Sequence, residues 1–291
     1  MVWVFFQSLI NGILAGGVYA LVGVGITIIF GVMKMVNFAA SAQLVWGMYF
    51  TYLFYVMTGL NCYWAIPFVA VCMAAFAWII FKLVVRPLLG SDQTSFILVT
   101  LGLSYFLQNL AEFIFGTNPK SVPSSIKTSS IFIGDYSIGL PRLIAFCAMI
   151  VLVLGVYILL NKTTLGRAMR ATAEKPEVAQ MLGINTKKTF TIAFMIGVIF
   201  AGLSGLLVTP LYYVTSTAGS VFRTTAVIAV IIGGLGDIKG ALVGGIAIGV
   251  IEALVTGLIA IDLGPVGVCL ALLVVLYLRP QGLFGKGERR A

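Results

Sequence analysis

Nine apolar stretches follow one another along this chain, at about 5–30, 42–57, 64–85, 94–115, 142–161, 189–210, 222–236, 240–259 and 263–279. That pattern decides the fold class, because a spanning helix needs about 20 apolar residues to cross a hydrocarbon core of about 30 Å. Hydrophobic residues fill 60% of the 291 positions and charged residues only 9%, against about 25% charged in an average soluble domain. So few charges cannot cover a water-soluble fold of this size. The expected fold is all-α: one polytopic transmembrane helical bundle spanning residues 1–291. The second and seventh stretches are short, which makes them candidates for re-entrant segments completed by residues 31–41 and 212–221. Irregular backbone at depth is stable only where protein or a wet cavity satisfies it. The first stretch is too long for a signal-peptide core and has no basic residue before it, so it is expected to remain as the first span.

Basic residues orient the chain. With the C-terminus inside, the outer side holds only Lys120, Lys127, Arg142 and Arg223. The other 14 of the 18 basic residues fall on the inner side. Positive residues favour the cytoplasmic side, so the N-terminus is expected outside and the C-terminus in the cytoplasm. The net charge of +9 is then largely topogenic, and no nucleic-acid partner is expected. Two loops are long. Residues 116–141, outside, are rich in Ser, Thr and Pro, and alternate apolar and polar residues on either side of Gly134 and Asp135, a hairpin signal. Residues 162–188, inside, are the most charged segment.

The composition excludes most chemistry. There is no His, so catalysis and metal ligation through imidazole are impossible. Cys62, Cys72, Cys147 and Cys269 lack metal-like spacing and read as small core residues, so neither a metal site nor a disulfide framework is expected. The run Gly202-Leu203-Ser204-Gly205 matches the pattern of rhomboid-type intramembrane serine proteases, but those need a His to activate the serine. No phosphate-binding G-x-x-x-x-G-K-[ST] loop and no intramembrane paired-Asp motif occur. A non-catalytic membrane protein without a cofactor is expected.

Several polar residues interrupt the apolar runs. Glu252 lies about 12 residues into the eighth stretch, about 18 Å from the inner surface, where a carboxylate needs a partner or a wet cavity. Gln108 and Glu112 share one helical face near the outer end of the fourth stretch, with Asn109 beside them. Gly31, Lys34 and Asn37 suggest either a helix break that offers backbone dipoles to a substrate or a plain turn. Gly240, Gly244, Gly245 and Gly249 form two i, i+4 pairs. This spacing allows close helix packing, or lines a pathway with backbone.

In the charged inner loop, Leu165, Met169 and Thr172 are expected on one side of a short helix, with Arg167, Arg170 and Glu174 more exposed. A second helix of about two turns is expected over 176–182. Pro176 and Glu177 start it, Val178, Met181 and Leu182 give it an apolar face, and Gly183 ends it. So short a helix is not stable alone. It must rest on the membrane surface or dock into a partner.

Taken together, these segments resemble the permeases of branched-chain amino-acid ABC importers, the LivH type. The resemblance is carried by Gly16-Gly17-Val18-Tyr19-Ala20, by Asn37-Phe38-Ala39, and by Arg86-Pro87-Leu88. It continues in Gly102 with Gln108-Asn109, in Gly166-Arg167-Ala168-Met169-Arg170-Ala171-Thr172-Ala173-Glu174, and in Gly183-Ile184-Asn185. It runs on through Gly233-Gly234-Leu235-Gly236 with Gly240, Gly244 and Gly245, and the ending Arg279-Pro280-Gln281-Gly282. It extends over essentially the whole chain in order.

The resemblance implies a subunit of the bacterial inner membrane that sits with a second permease, identical or paralogous. It also implies two cytoplasmic ABC ATPase subunits and an extracytoplasmic substrate-binding protein. It places Gly166, Arg167, Arg170, Ala171, Glu174, Pro176, Gly183, Ile184 and Asn185 in the ATPase-coupling region, which favours docking of the short helix over a membrane-surface role. Asn37, Phe38, Gln108, Asn109 and Glu252 are then candidates for the translocation pathway. The family commonly has Asn-Phe-Ala-His-Gly where this chain has Asn37-Phe38-Ala39-Ala40-Ser41, so a role for that His does not transfer. The expected substrate is a branched-chain amino acid. Alternatives are a permease for urea or short amides, and a self-sufficient secondary transporter or channel for a small polar solute.

Overall fold

The computed structural model describes residues 2–123, 130–133 and 136–285. Helices occupy all nine apolar stretches. They are α1 (Val2–Met33), α2 (Ala40–Thr58), α3 (Ile66–Ile80), α4 (Gln93–Phe115), α5 (Leu140–Lys162), α8 (Thr186–Val208), α9 (Gly219–Gly233), α10 (Ile238–Leu258) and α11 (Gly264–Leu278). The inner loop adds α6 (Thr164–Glu174) and α7 (Pro176–Met181). Among the described residues, seven helices are long and apolar enough to cross a membrane, with α3 and α11 extended by flanking turns to Cys62–Leu88 and Ile261–Leu278. The two outside that count are α2 and α9, the same two that stand out as short in the sequence.

The first helix is the hub. Some 83% of its most apolar window is buried, and α2, α5, α6, α8, α9 and α10 all pack on it. Its glycines explain how so many neighbours fit. A Cβ on Gly12 would lie 2.7 Å from the Val250 Cα, and one on Gly16 2.7 Å from the Ile246 Cα. From the other side, a Cβ on Gly245 would lie 2.5 Å from the Ala20 Cα. The helices α1 and α10 therefore run antiparallel with their backbones in contact. Gly249 joins this seam, whereas Gly240 and Gly244 face Gly233 and Ala229 of α9. Such small-residue seams replace hydrophobic drive with close van der Waals packing.

The two ends of the bundle differ. At one end a hairpin of β1 (Ser130–Ile133) and β2 (Tyr136–Gly139) pairs Ile131 with Ile138. This is the hairpin expected from the alternating pattern, although Gly134 and Asp135 at its turn lie outside the described residues, as does Lys127. Gln7 fixes the hairpin to α1: its Nε2 donates to Ser137 O at 2.7 Å, and Ser137 N donates back to Gln7 Oε1 at 3.2 Å. Lys120 and Val214 exchange two backbone hydrogen bonds that tie together the segments after α4 and α8. The other end carries α6, α7 and the chain after α11, where Leu283 N donates to Ile232 O and Phe284 N to Gly233 O. The 23 residues of α5 separate hairpin from α6, about 33 Å at a rise of 1.5 Å per residue.

Candidate functional site

The break between α1 and α2 is real. Lys34 ends α1 with a φ of 57°, uncommon for a residue with a side chain. Asn37 is 1% exposed. Its Oδ1 accepts from Ala39 N at 3.0 Å and its Nδ2 donates to Gln43 Oε1 at 3.1 Å. One Nδ2 hydrogen and the Oδ1 thus hold the start of α2. Phe38 N points to Thr100 Oγ1 of α4 at 3.4 Å.

Thr100 begins a polar column along α4. Thr100, Ser104, Gln108 and Glu112 recur every four residues and so share one face. Thr100 and Ser104 are fully buried. Glu112 Oε2 accepts from Ser216 Oγ at 3.1 Å, in the segment between α8 and α9. The column runs about 18 Å from the helix break to that segment. Asn109 leaves it: the Asn109 amide is exposed and donates to Tyr105 O of its own helix at 2.8 Å.

Arg223 completes this group, and its position corrects the sequence reading, which placed it among the outer-side residues. Its Nε donates to Ser41 Oγ at 3.0 Å and its Nη2 to Ser104 Oγ at 3.1 Å, with the guanidinium 5.6 Å from the centre of the Tyr105 ring. Ser104 lies 11 residues from either end of α4, so Arg223 is level with the middle of a spanning helix. The reason is that α9 has only 15 residues and starts at that level. Its first turn packs against α2, where a Cβ on Gly219 would lie 2.9 Å from Val45 Cγ2. Ser41 is one of the two hydroxyls that hold this arginine.

Glu252 belongs to a different place. It is six residues from the end of α10, about 9 Å. The mid-depth position expected from the sequence therefore becomes one nearer the hairpin end, because α10 starts and stops earlier than the apolar run suggests. Glu252 lines a cavity of ≈ 350 Å³ with Ser8, Asn11, Tyr19, Arg142 and Tyr212. In the same lining, Arg142 Nη1 donates to Asn11 Oδ1 at 3.0 Å. Phe222 also lines this cavity, tilted against Tyr19 and edge-on to Tyr212; Arg223 is not in the lining. Asn37 and Glu252 are not brought together.

At the opposite end, α6 is anchored by its N-cap. Thr163 Oγ1 accepts from Gly166 N at 3.1 Å. Gly166, Met169 and Thr172 are buried. Leu165, expected on that face, is exposed; Gly166 takes its place because it passes directly over the backbone of Leu160. Arg170 Nη1 also donates to Leu160 O. Arg167, Glu174 and Pro176 are exposed, and Ala171 is half-buried. A cavity of ≈ 370 Å³ under α6 is lined by Thr27, Asn161, Arg170, Asp237 and Lys239, so α6 borders both α1 and α10.

The short helix α7 ends in two crossed hydrogen bonds, Gly183 N to Gln180 O and Ile184 N to Ala179 O, both at 3.0 Å. That is the Schellman arrangement, and it requires the positive φ of 83° at Gly183. Asn185 then starts α8 by accepting from Lys188 N at 3.0 Å. Just before the cap glycine, Met181 and Leu182 are 84% and 76% exposed, and among the described residues α7 packs mainly on α6 and α8.

This combination of a glycine-packed bundle, an intramembrane polar column and an apolar capped protrusion agrees with the comparisons to known proteins. Residues 8–278 match the family described as branched-chain amino acid transport system / permease component. The chain belongs to this family. It is 30% identical to the high-affinity branched-chain amino acid transport system permease protein LivH of Escherichia coli K12, and 29% identical to that of Salmonella typhimurium LT2. Each match spans 98% of this chain and 96% of the relative. BraD of Pseudomonas aeruginosa, a permease protein named for the same kind of transport system, is 28% identical over 98% of this chain and 97% of its own. The chain is therefore a multi-pass membrane permease component.

Arg223, Ser41, Thr100 and Ser104 were missed as pathway candidates by the sequence reading of this permease. The four-residue spacing from Thr100 to Glu112 was available as a signal. So was a basic residue at the start of a stretch too short to span.

Proposed function

We propose that this permease is the transmembrane subunit of an ATP-driven importer of branched-chain amino acids in the bacterial inner membrane. It supplies half of the translocation pathway and no catalysis of its own. A second permease, identical or paralogous, supplies the other half, two ABC ATPases bind on the cytoplasmic side, and a soluble binding protein delivers substrate from outside. Similarity to LivH and BraD over nearly the full length of each protein carries this reading. The basic-residue distribution supports an outer N-terminus and a cytoplasmic end bearing α6 and α7.

Coupling to the ATPase rests on α7. Apolar side chains capped at both ends and held away from the bundle suit insertion into a groove on a partner. Movement of α7 would reach α1 and α10 through α6. Co-purification tests this: the permease should bring down an ATPase encoded with it. Glu174→Lys and Gly183→Val should lower ATPase stimulation and uptake together. Unchanged uptake and unchanged ATPase stimulation in both variants would remove α6 and α7 from coupling.

A further inference from the structure

The least explained group in the molecule is the guanidinium of Arg223. A cation level with the middle of a spanning helix is costly, and such residues pair with a counter-charge or face a wet path. Among the described residues no carboxylate lies within ion-pair distance of it; its side-chain partners are two neutral serines and a tyrosine ring. Arginine carries five N–H donors in a rigid fork, and the two serine bonds use Nε and one Nη2 hydrogen. The remaining donors include both of those on Nη1. Tyr105, below the guanidinium, is 57% exposed, so the site is open on that face of α4.

We infer that Arg223 is the point at which the carboxylate of a zwitterionic amino acid is held as it passes through the permease. This rests on the importer reading above and deepens it by naming the group that meets the substrate. A planar fork fits a carboxylate with two parallel hydrogen bonds. The two serines fix the fork without neutralising it, so the full charge remains for a ligand. The column from Glu112 through Gln108 to Ser104 leads to it from the hairpin end, and Thr100 and Phe38 N lie one turn beyond. An uncharged substrate such as urea has no use for an uncompensated cation here, so the site favours the amino-acid class over the urea and amide class.

The competing role is a brace, in which Arg223 merely ties α9 to α2 and α4. Both roles are distinguished in the full complex, reconstituted with its ATPases and binding protein, using L-leucine as the probe. Arg223→Gln should reduce leucine uptake by about 30-fold or more, the usual consequence of removing one partner of a desolvated charge pair. Assembly and the ATPase stimulation caused by loaded binding protein should stay near wild type. Arg223→Lys keeps a cation that can meet a carboxylate but lacks the planar fork, and should retain more uptake than Arg223→Gln. Uptake by Arg223→Gln close to wild type would overturn the inference. So would a fall in assembly or in ATPase stimulation by Arg223→Gln that matches its fall in uptake, which would mark a brace. Absence of leucine uptake by the wild-type complex would overturn the importer reading, and the site with it.

Discussion

Gly16 and Gly249 meet backbone to backbone at the seam of α1 and α10: a Cβ on Gly249 would lie 2.5 Å from Gly16 N. Nothing flexible at that point can give way. Gly249→Leu should therefore destabilise the permease by about 2 kcal/mol or more, the scale of overpacking in a tight core. Gly155, in α5, has open space where its Cβ would go, and Gly155→Ala should be neutral or stabilising by up to about 1 kcal/mol. Thermal unfolding of the two purified variants in detergent checks the contrast. Equal stability would remove the seam as the organising contact.

The exposed tip of α7 makes a separate prediction. Met181→Asp with Leu182→Asp should leave the permease folded, since neither side chain is buried in it. The double variant should lose co-purifying ATPase while its own melting temperature is unchanged. Retention of the ATPase would show that α7 is not the docking element.

Glu252→Gln keeps the shape of a side chain that lines one cavity with Tyr19 and Arg142 and removes only its charge. The residue is partly exposed within its cavity, so the expected loss of stability is below about 1 kcal/mol, and uptake should fall only modestly. Assembly should be normal. Complete loss of transport at normal expression would instead make the charge of Glu252 a direct substrate contact.

Sidedness can be read by labelling. After Cys62, Cys72, Cys147 and Cys269 are replaced, single cysteines at Lys120 and Lys175 should react with impermeant thiol reagents from opposite sides of the membrane. Labelling of both from the outside of intact cells would overturn the orientation.

The architecture was legible because its signals are local. Apolar length set the helices, Pro176 and Gly183 set the ends of the α7 segment, and the alternation before and after Gly134 set the hairpin. Depth was harder. The start of α10 at Ile238 depends on turns at Gly234 and Gly236, both with positive φ, and that of α9 at Gly219 on its close packing against α2, which no residue count contains. Glu252 and Arg223 were misplaced for that reason, in opposite directions. Asn37 was rightly placed at a break. Its partner Gln43 lies a turn into the next helix, and only the fold shows that the two amides bond each other. Leu165 and Gly166 differ by one helical position; steric closeness to Leu160, not hydrophobicity, decided which was buried.

The central claim is ATP-driven import, and uptake by the reconstituted system tests it most directly. Proteoliposomes should contain this permease, its partner permease and the ATPases, with binding protein and labelled leucine outside and ATP inside. Leucine should accumulate against its gradient, and accumulation should stop when ATP or the binding protein is omitted. Accumulation driven by an ion gradient through this chain alone, without ATPase or ATP, would contradict the account.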